Sequence, residues 1–431
     1  MASAFQDLKY TVIAKVMSMA LLVGVQSCLA WWLGAAGRGE YAVCQVFASL
    51  LTVFCALGCD TASVYFVSSQ RFSISEGVIH AAVCVAVSSV VAITFGLILR
   101  TLPVGFFSKA SQDAFGLALA SIPTALMSLI LLQLLTAVRM FRWFAVLSIL
   151  QIATHLCCVC VFVGYFSWGV KGALWAIIVR DVLIVTAALT LLRVKLGMSW
   201  AQPTLGKLYK MYHYGTRYYF GKISNRVNAR LGTMILAFFA TKEQIGLFDV
   251  AHQLTAQVIT VPDSLSTVLL PRMCQAGKNR ADTIARAVRM TAAVCGSLLL
   301  VLCVFARPII TILFSRDFLA AVPLVRILSL GVLVRCTCKL FVPYLIGSNR
   351  PGTVSVSVVA GVAVNILSLI VLLPSLGLSG AAVANSLGYA VSSLLLARGF
   401  VNHSGTRLSR VFRYQPSDFR MLKPWNGVVR G

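Results

Sequence analysis

Three cations recur at four-residue spacing inside YYFGKISNRVNARL, residues 218–231: Lys222, Arg226 and Arg230. The stretch opens a run that continues as GTMILAFFA, so the charges head an apolar segment. On a helix a four-residue step turns the chain by about 40°, so the cations form one stripe, and Tyr218 and Asn225 share its face. A rise of about 1.5 Å per residue places them about 8, 14 and 20 Å inward of Arg217. Guanidinium grips phosphate through two parallel hydrogen bonds, and ammonium adds a compact point charge. Cations spaced along one wall therefore suit a multivalent anion such as a diphosphate. Charge at membrane depth is costly unless something uses it, so this face is expected to meet helices or water rather than lipid.

Further charges lie in other apolar runs. Lys15 shares a stripe with Ser18 and Gln26, and Arg335 and Lys339 stand four apart on one face. Comparably deep acids are few: Asp60, Asp181, Asp249 and Asp263. Internal pairing cannot neutralise every cation one to one, which leaves an excess for an anionic ligand. Asp60 is the best-placed acid for coupling to a proton or cation, with Arg180 and Asp181 as further candidates. As chain neighbours, Arg180 and Asp181 lie about 100° apart on a helix and are expected to bond other helices rather than each other. Arg326 stands near an outer end and is expected to snorkel. Pro262, followed by Asp263, is expected to kink its helix. The histidines (His80, His155, His213, His252, His403) are scattered, and CCVC at 157–160 lacks zinc-site spacing. The cysteines read as small hydrophobes, and neither a metal nor a cofactor is expected.

These residues must be positioned by membrane helices. The chain of 431 residues is 59% hydrophobic and only 11% charged, with mean hydropathy +0.89. Apolar runs about 20 residues long recur from end to end, which excludes a soluble globular class. We count twelve spans, near 11–33, 41–67, 78–99, 114–137, 143–165, 172–192, 217–240, 246–270, 290–313, 321–346, 352–373 and 378–401. MASAFQDLKY lacks a basic region before a short apolar core, so the first span is expected to stay rather than be cleaved. The net charge of +25 would suggest nucleic acid in a soluble protein; here it fits the positive-inside rule and anionic lipid. One side of the membrane collects Lys9, Arg71, Arg139, Arg142, Arg193, Lys195, Lys207, Lys210, Arg217, Arg272, Lys278, Arg280, Arg286, Arg289, Arg350 and the cations of the tail. The other collects Arg38, Arg100, Lys109, Lys171, Lys242, Arg307 and Arg316. Both termini are thus expected on the cytoplasmic side. The tail SRVFRYQPSDFRMLKPW reads equally as a leaflet-bound segment or a solvated one.

An internal repeat organises the spans. GRGEYAVCQ (37–45) matches QIGLFDVAHQ (244–253), with Gly39 on Gly246, Tyr41 on Phe248 and Val43 on Val250 at an offset of 207. WGVKGALWA (168–176) matches LGLSGAAVA (376–384), with Gly169, Gly172, Ala173 and Ala176 on Gly377, Gly380, Ala381 and Ala384 at an offset of 208. The fold class expected is an all-α polytopic membrane protein, with about twelve transmembrane helices in two pseudo-symmetric six-helix lobes around a central cavity. Its expected parts are an N-terminal lobe (1–198), a cytoplasmic linker (199–216), a C-terminal lobe (217–402) and a basic tail (403–431). The offset also maps Lys222 onto Lys15, one lysine at the same depth in the first helix of each lobe. Parallel repeats of this kind belong to transporters whose halves rock about a midplane site.

Several stretches resemble the polysaccharide (Wzx-like) flippases of the multidrug/oligosaccharidyl-lipid/polysaccharide exporter superfamily. They are LGAAGRGEYAV, QLLTAVRMFRWFAVLSI, WGVKGALWA, NARLGTMILAFFATKEQIGLFDVAHQL, VLLPRM, ARPIITILFSRDF and LPSLGLSGAAVANSLG, and together they cover nearly the whole chain. The resemblance implies two lobes around a V-shaped cavity. It implies movement of an undecaprenyl-diphosphate-linked glycan to the periplasmic leaflet of a bacterial inner membrane, for O-antigen, capsule or exopolysaccharide assembly. Membrane lipid, polysaccharide polymerase and chain-length machinery are the partners it implies, with no nucleic acid and no catalysis. Relatives often carry an acid shortly after the span-7 arginine; this chain has Gly232 there, so that helix lacks the carboxylate. Two other classes compete. A cation-coupled multidrug-type antiporter would want acids and aromatics where this chain concentrates cations. A membrane polymerase or glycosyltransferase would want a larger outer domain than these short loops, with few acids (Glu40, Asp113, Glu243, Asp317), provide.

Overall fold

A backbone that must satisfy its own hydrogen bonds in hydrocarbon can form a closed barrel or a helix, and unalternating apolar runs select the helix. The computed structural model describes residues 2–101, 110–199, 202–274, 280–406 and 411–412, with their side chains except at 2–16, 217–231, 267–268, 270–272, 274 and 280. The helices are α1 (Ala2–Ala56), α2 (Cys59–Ser68), α3 (Ile74–Thr101), α4 (Gln112–Ala137), α5 (Phe141–Val159), α6 (Gly169–Leu196) and α7 (Leu205–Phe239). There follow α8 (Lys242–Ala256), α9 (Thr260–Cys274), α10 (Arg280–Val304), α11 (Ala306–Phe314), α12 (Val322–Cys338), α13 (Phe341–Gly347) and α14 (Pro351–Ser404). Among the described residues, eight helical stretches are long and apolar enough to cross a membrane. Two of them, α1 and α14, are each a pair of helices joined at a kink, at Gly34 and Gly377. With α7 and the consecutive α8 and α9, the described residues supply the twelve spans expected. The break expected at Pro262 sits slightly earlier, where Gln257–Ile259 tightens into a 3-10 turn and Pro262 falls in the first turn of α9. The tail lies outside the described residues apart from 403–406 and 411–412; the buried Val411 accepts a hydrogen bond from Arg289 Nη1 through its carbonyl, at 3.1 Å.

The chain divides into two units, residues 1–249 with 310–319, and residues 250–309 with 320–431. In the first, α1 packs on α3, α4, α5 and α6, and α7 lies along α1 and α2. Its fully buried side chains include Leu29, Tyr41, Ile122, Leu126, Ile130 and Leu134. In the second, α12 packs on α10 and α14, while α13 touches α9 and α14. There Phe341 stacks on Phe400 at 4.7 Å, inside a cluster with Leu340, Leu345 and Ile284.

The repeat glycines do matching jobs. Gly169 and Gly377 open the last helix of each half with φ of 56° and 57°, a left-handed turn that a side chain would strain. Three residues on, Gly172 and Gly380 admit a backbone carbonyl where a Cβ would meet Phe162 O at 2.9 Å and Leu372 O at 2.1 Å. Gly39 and Gly246 touch each other. A Cβ on Gly39 would lie 1.7 Å from Lys242 O, and one on Gly246 would lie 2.1 Å from Ala35 O.

Because the obstacle at Gly246 is backbone, Gly246→Ala is expected to cost about 3 kcal/mol, the upper end for overpacking, and to lower the melting temperature in detergent. Gly116→Ala, with nothing within 4 Å of the new Cβ, serves as the neutral control. Equal melting of the two variants would contradict the back-to-back contact.

Candidate functional site

Beside the Gly39–Gly246 contact lies a fully buried charge. Arg38 follows the Gly34 kink and is fully buried. Its Nε and Nη2 donate to Asp249 Oδ2 at 3.2 and 3.0 Å, and Nη2 also donates to Gln26 Oε1. Its guanidinium carbon stands 5.6 Å from the Tyr41 ring centre. Two residues along the chain, Glu40 binds Lys242 Nζ at 2.8 Å and accepts the Ser111 N–H at 2.8 Å. The charge distribution along the sequence groups Arg38 with the outer-loop cations and offers it no partner. The available signal was the repeat itself, which carries Arg38 next to one matched glycine and Asp249 three residues after the other. A buried pair of this kind contributes little net stability, but removing one partner leaves an uncompensated charge that costs about 3–5 kcal/mol.

A second polar cluster corrects an expectation. Arg180 and Asp181 bond each other, Nε to Oδ1 at 3.0 Å and Nη2 to Oδ2 at 2.9 Å. The angle of about 100° separates their Cα–Cβ bonds, but the arginine stem is long enough to swing its fork around that quarter-turn. The fully buried Asp181 carboxylate needs the counter-charge at hand. It also reaches other helices as expected, accepting from Ser128 Oγ on α4 at 3.2 Å and Gln151 Nε2 on α5 at 3.1 Å. The buried His155 stands 3.5 Å from Arg180 Nη1 through its Nδ1. Asp60 is buried in the first turn of α2, with the Thr61 hydroxyl 3.4 Å from its Oδ1.

The second unit holds the other predicted cations. Lys339, at the end of α12, is ion-paired with Asp263 of α9. The Arg335 guanidinium lies 4.4 Å above the Tyr389 ring, a cation–π contact, and Tyr389 Oη is 3.4 Å from His252 Nε2. Arg326 is exposed and donates through Nε to the Cys303 carbonyl at 3.3 Å.

The side chains of Tyr218, Lys222, Asn225, Arg226 and Arg230, and of Lys15 on α1, lie outside the described residues. Their backbone is described. Helix α7 runs unbroken through 218–230, so the four-residue spacing holds its cations to one stripe, and α7 contacts α1, a kinked element whose first part carries Lys15.

Residues 5–276 match the family described as polysaccharide biosynthesis protein. The chain belongs to that family. Among curated proteins it is similar to the probable low-salt glycan biosynthesis flippase Agl15 of Haloferax volcanii, 24% identical over 47% of this chain and 44% of that protein. The chain thus spans about half the length of the curated relatives it matches. Among solved structures it shares the fold of the lipid II flippase MurJ in an inward closed conformation, at TM-score 0.70 and 14% identity, over 97% of this chain and 95% of that one. It also shares the fold of an inward-facing multidrug resistance MATE family transporter of the MOP superfamily, at TM-score 0.73 and 13% identity, over 91% and 98% of the two chains. This member of the polysaccharide biosynthesis family is a multi-pass membrane protein with about twelve transmembrane helices.

The Arg38–Asp249 pair predicts a non-additive mutant cycle. Asp249→Leu and Arg38→Met are each expected to destabilise by about 3–5 kcal/mol, and the double variant by clearly less than their sum, because it buries no lone charge. Thermal melting in detergent reads the cycle. Additive losses would mean that the two side chains are not coupled.

Proposed function

We propose that this chain is a flippase, not an enzyme, and that it moves an undecaprenyl-diphosphate-linked oligosaccharide from the cytoplasmic to the periplasmic leaflet of a bacterial inner membrane. The product would feed surface polysaccharide assembly: O-antigen, capsule or exopolysaccharide. The observation that carries this reading is the stripe Lys222, Arg226 and Arg230 on one uninterrupted helix, in a segment 217–240 that contains no acid, within a polysaccharide biosynthesis family member. The names of the similar flippases support the substrate class. Helices 1–198 and 217–402 act as the two lobes, with 199–216 as a cytoplasmic linker and 403–431 as a cytoplasmic tail.

In this mechanism the sugar and diphosphate enter an inward-open cavity while the polyprenyl tail stays in lipid. Lys15, Lys222, Arg226 and Arg230 replace water around the phosphates, with Tyr218 and Asn225 on the same wall and Arg335 and Lys339 on the second lobe. The pairing of Lys339 with Asp263 means that this lysine must exchange one anion for another to take part. Rocking of the lobes then exposes the site outward. An inside-negative potential favours outward movement of an uncompensated anion by about 2.3 kcal/mol per charge per 100 mV. Asp60, or the Arg180–Asp181 pair, would serve a coupling ion if one is used. Polysaccharide polymerase and chain-length machinery are the partners that would receive the product.

Arg226→Ala and Arg230→Ala are each expected to cut glycan export at least tenfold at unchanged protein level, with lysine restoring only part because it cannot offer two parallel hydrogen bonds. Lipid-linked oligosaccharide should accumulate on the cytoplasmic face of a deletion strain, and its mass would identify the sugar unit. Normal export in both alanine variants would sink the diphosphate stripe. The fold shared with the MATE transporter favours one rival, a cation-coupled small-molecule antiporter. Efflux of cationic dyes by the purified, reconstituted protein would favour that rival.

A further inference from the structure

The segment joining the two halves of the sequence is more than a tether. Its basic residues meet the turn between α2 and α3, and together they enclose a recess of about 500 Å³ within the first unit. Aromatic rings form the floor. Phe66 stacks on Phe72 at 4.6 Å, and Tyr214 stands edge-on to Phe66 at 5.6 Å while stacking on Tyr65 at 4.2 Å. Cations form the rim, Arg71 from the turn and Lys207 and Lys210 from the first turns of α7, with the His213 imidazole one turn further. Lys207 is ion-paired with Glu76 at 2.5 Å. Among the described residues, neither Arg71 nor Lys210 has a carboxylate partner, so the rim keeps an excess of positive charge.

The recess is built rather than adventitious. Helices α2 and α7 meet backbone to backbone, since a Cβ on Gly58 would lie 2.4 Å from Gly215 O and one on Gly215 would lie 2.5 Å from Leu57 O. The Phe66 carbonyl accepts the N–H groups of both Arg71 and Phe72, at 3.0 and 3.1 Å, which closes the turn carrying the rim arginine. On the far side, the Thr204 N–H donates to His80 Nε2 at 3.1 Å, and His80 Nδ1 donates to the Glu76 carbonyl at 2.6 Å. The Ser199 N–H donates to Ser75 Oγ at 3.1 Å. The start of α7 is thereby fastened to the start of α3, and the Lys207 ammonium is held 5.5 Å above the Phe72 ring. A preformed recess with convergent cations and an apolar floor is the usual form of an anion site for a partly apolar ligand.

We propose that this recess binds a phosphate carried on a lipid. The guanidinium of Arg71 and the ammonium of Lys210 take the phosphate, and the rings of Phe66, Phe72 and Tyr214 cover the first apolar atoms behind it. Two lipids present that chemistry, an anionic phospholipid and a polyprenyl diphosphate. The assignment does not depend on transport, because the test measures binding to the full-length protein.

The protein is placed in phosphatidylcholine nanodiscs and titrated with dioctanoyl phosphatidylglycerol, farnesyl diphosphate and inorganic pyrophosphate. Either lipid is expected to bind more tightly than pyrophosphate, and the tighter of the two identifies the source. The exposed pair Arg71→Gln and Lys210→Gln should weaken that binding at least tenfold. Arg139→Gln with Arg142→Gln, an exposed pair that removes the same charge from the same predicted side, should leave it within twofold. Unchanged affinity in the rim variant, an equal loss in the control, or pyrophosphate binding as tightly as both lipids would overturn the assignment. Matching melting temperatures of parent and variants exclude loss of fold as the cause.

Discussion

Hydrocarbon supplies no water to an ionised side chain, so a charge placed at membrane depth must find its partner inside the protein or serve a ligand. Arg38 is fully buried and finds partners inside the protein through its Nε and Nη2, while its Nη1 has none among the described residues. Its guanidinium is out of solvent and bonded to Asp249 and Gln26, and two residues on Glu40 binds the part-exposed Lys242. The pairs close only because Gly39 and Gly246 let two backbones touch. A methyl group at either position would hold the helices apart by more than a hydrogen bond tolerates.

The same constraint acts on the other charges in apolar segments. The Asp181 carboxylate is bonded to Arg180, Ser128 and Gln151, and Lys339 is bonded to Asp263. The stripe Lys222, Arg226 and Arg230 has no acid within its own segment. Its segment also lies in the helix that continues from the basic linker, so one continuous helix carries cations from the α2–α3 recess toward the apolar half of α7.

Much of the architecture was legible in the linear chain. Apolar runs reveal spans because the bilayer thickness prescribes their length, and repeats reveal duplicated topology because a glycine in a tight turn or close contact admits no other residue. The equal φ of Gly169 and Gly377 is the structural form of the motif match at an offset of 208. The pairing of charges was harder to read. Asp181 sits next to Arg180 in the chain, yet helical geometry argued against a bond that the arginine side chain makes by bending. Arg38 reads as a loop charge in sequence because its partner Asp249 lies 211 residues away.

The sequence by itself determined an all-α, multi-pass membrane protein with a duplicated plan and more cations than acids. These properties follow from composition and local period, which need no long-range contact. Only the tertiary structure decided that Arg38 meets Asp249, that Lys339 meets Asp263, and that the linker closes a basic, aromatic recess against the α2–α3 turn. Each joins residues far apart in the chain, and which distant charges meet depends on how helices pack and where glycine lets them approach, a property that no local window of sequence contains.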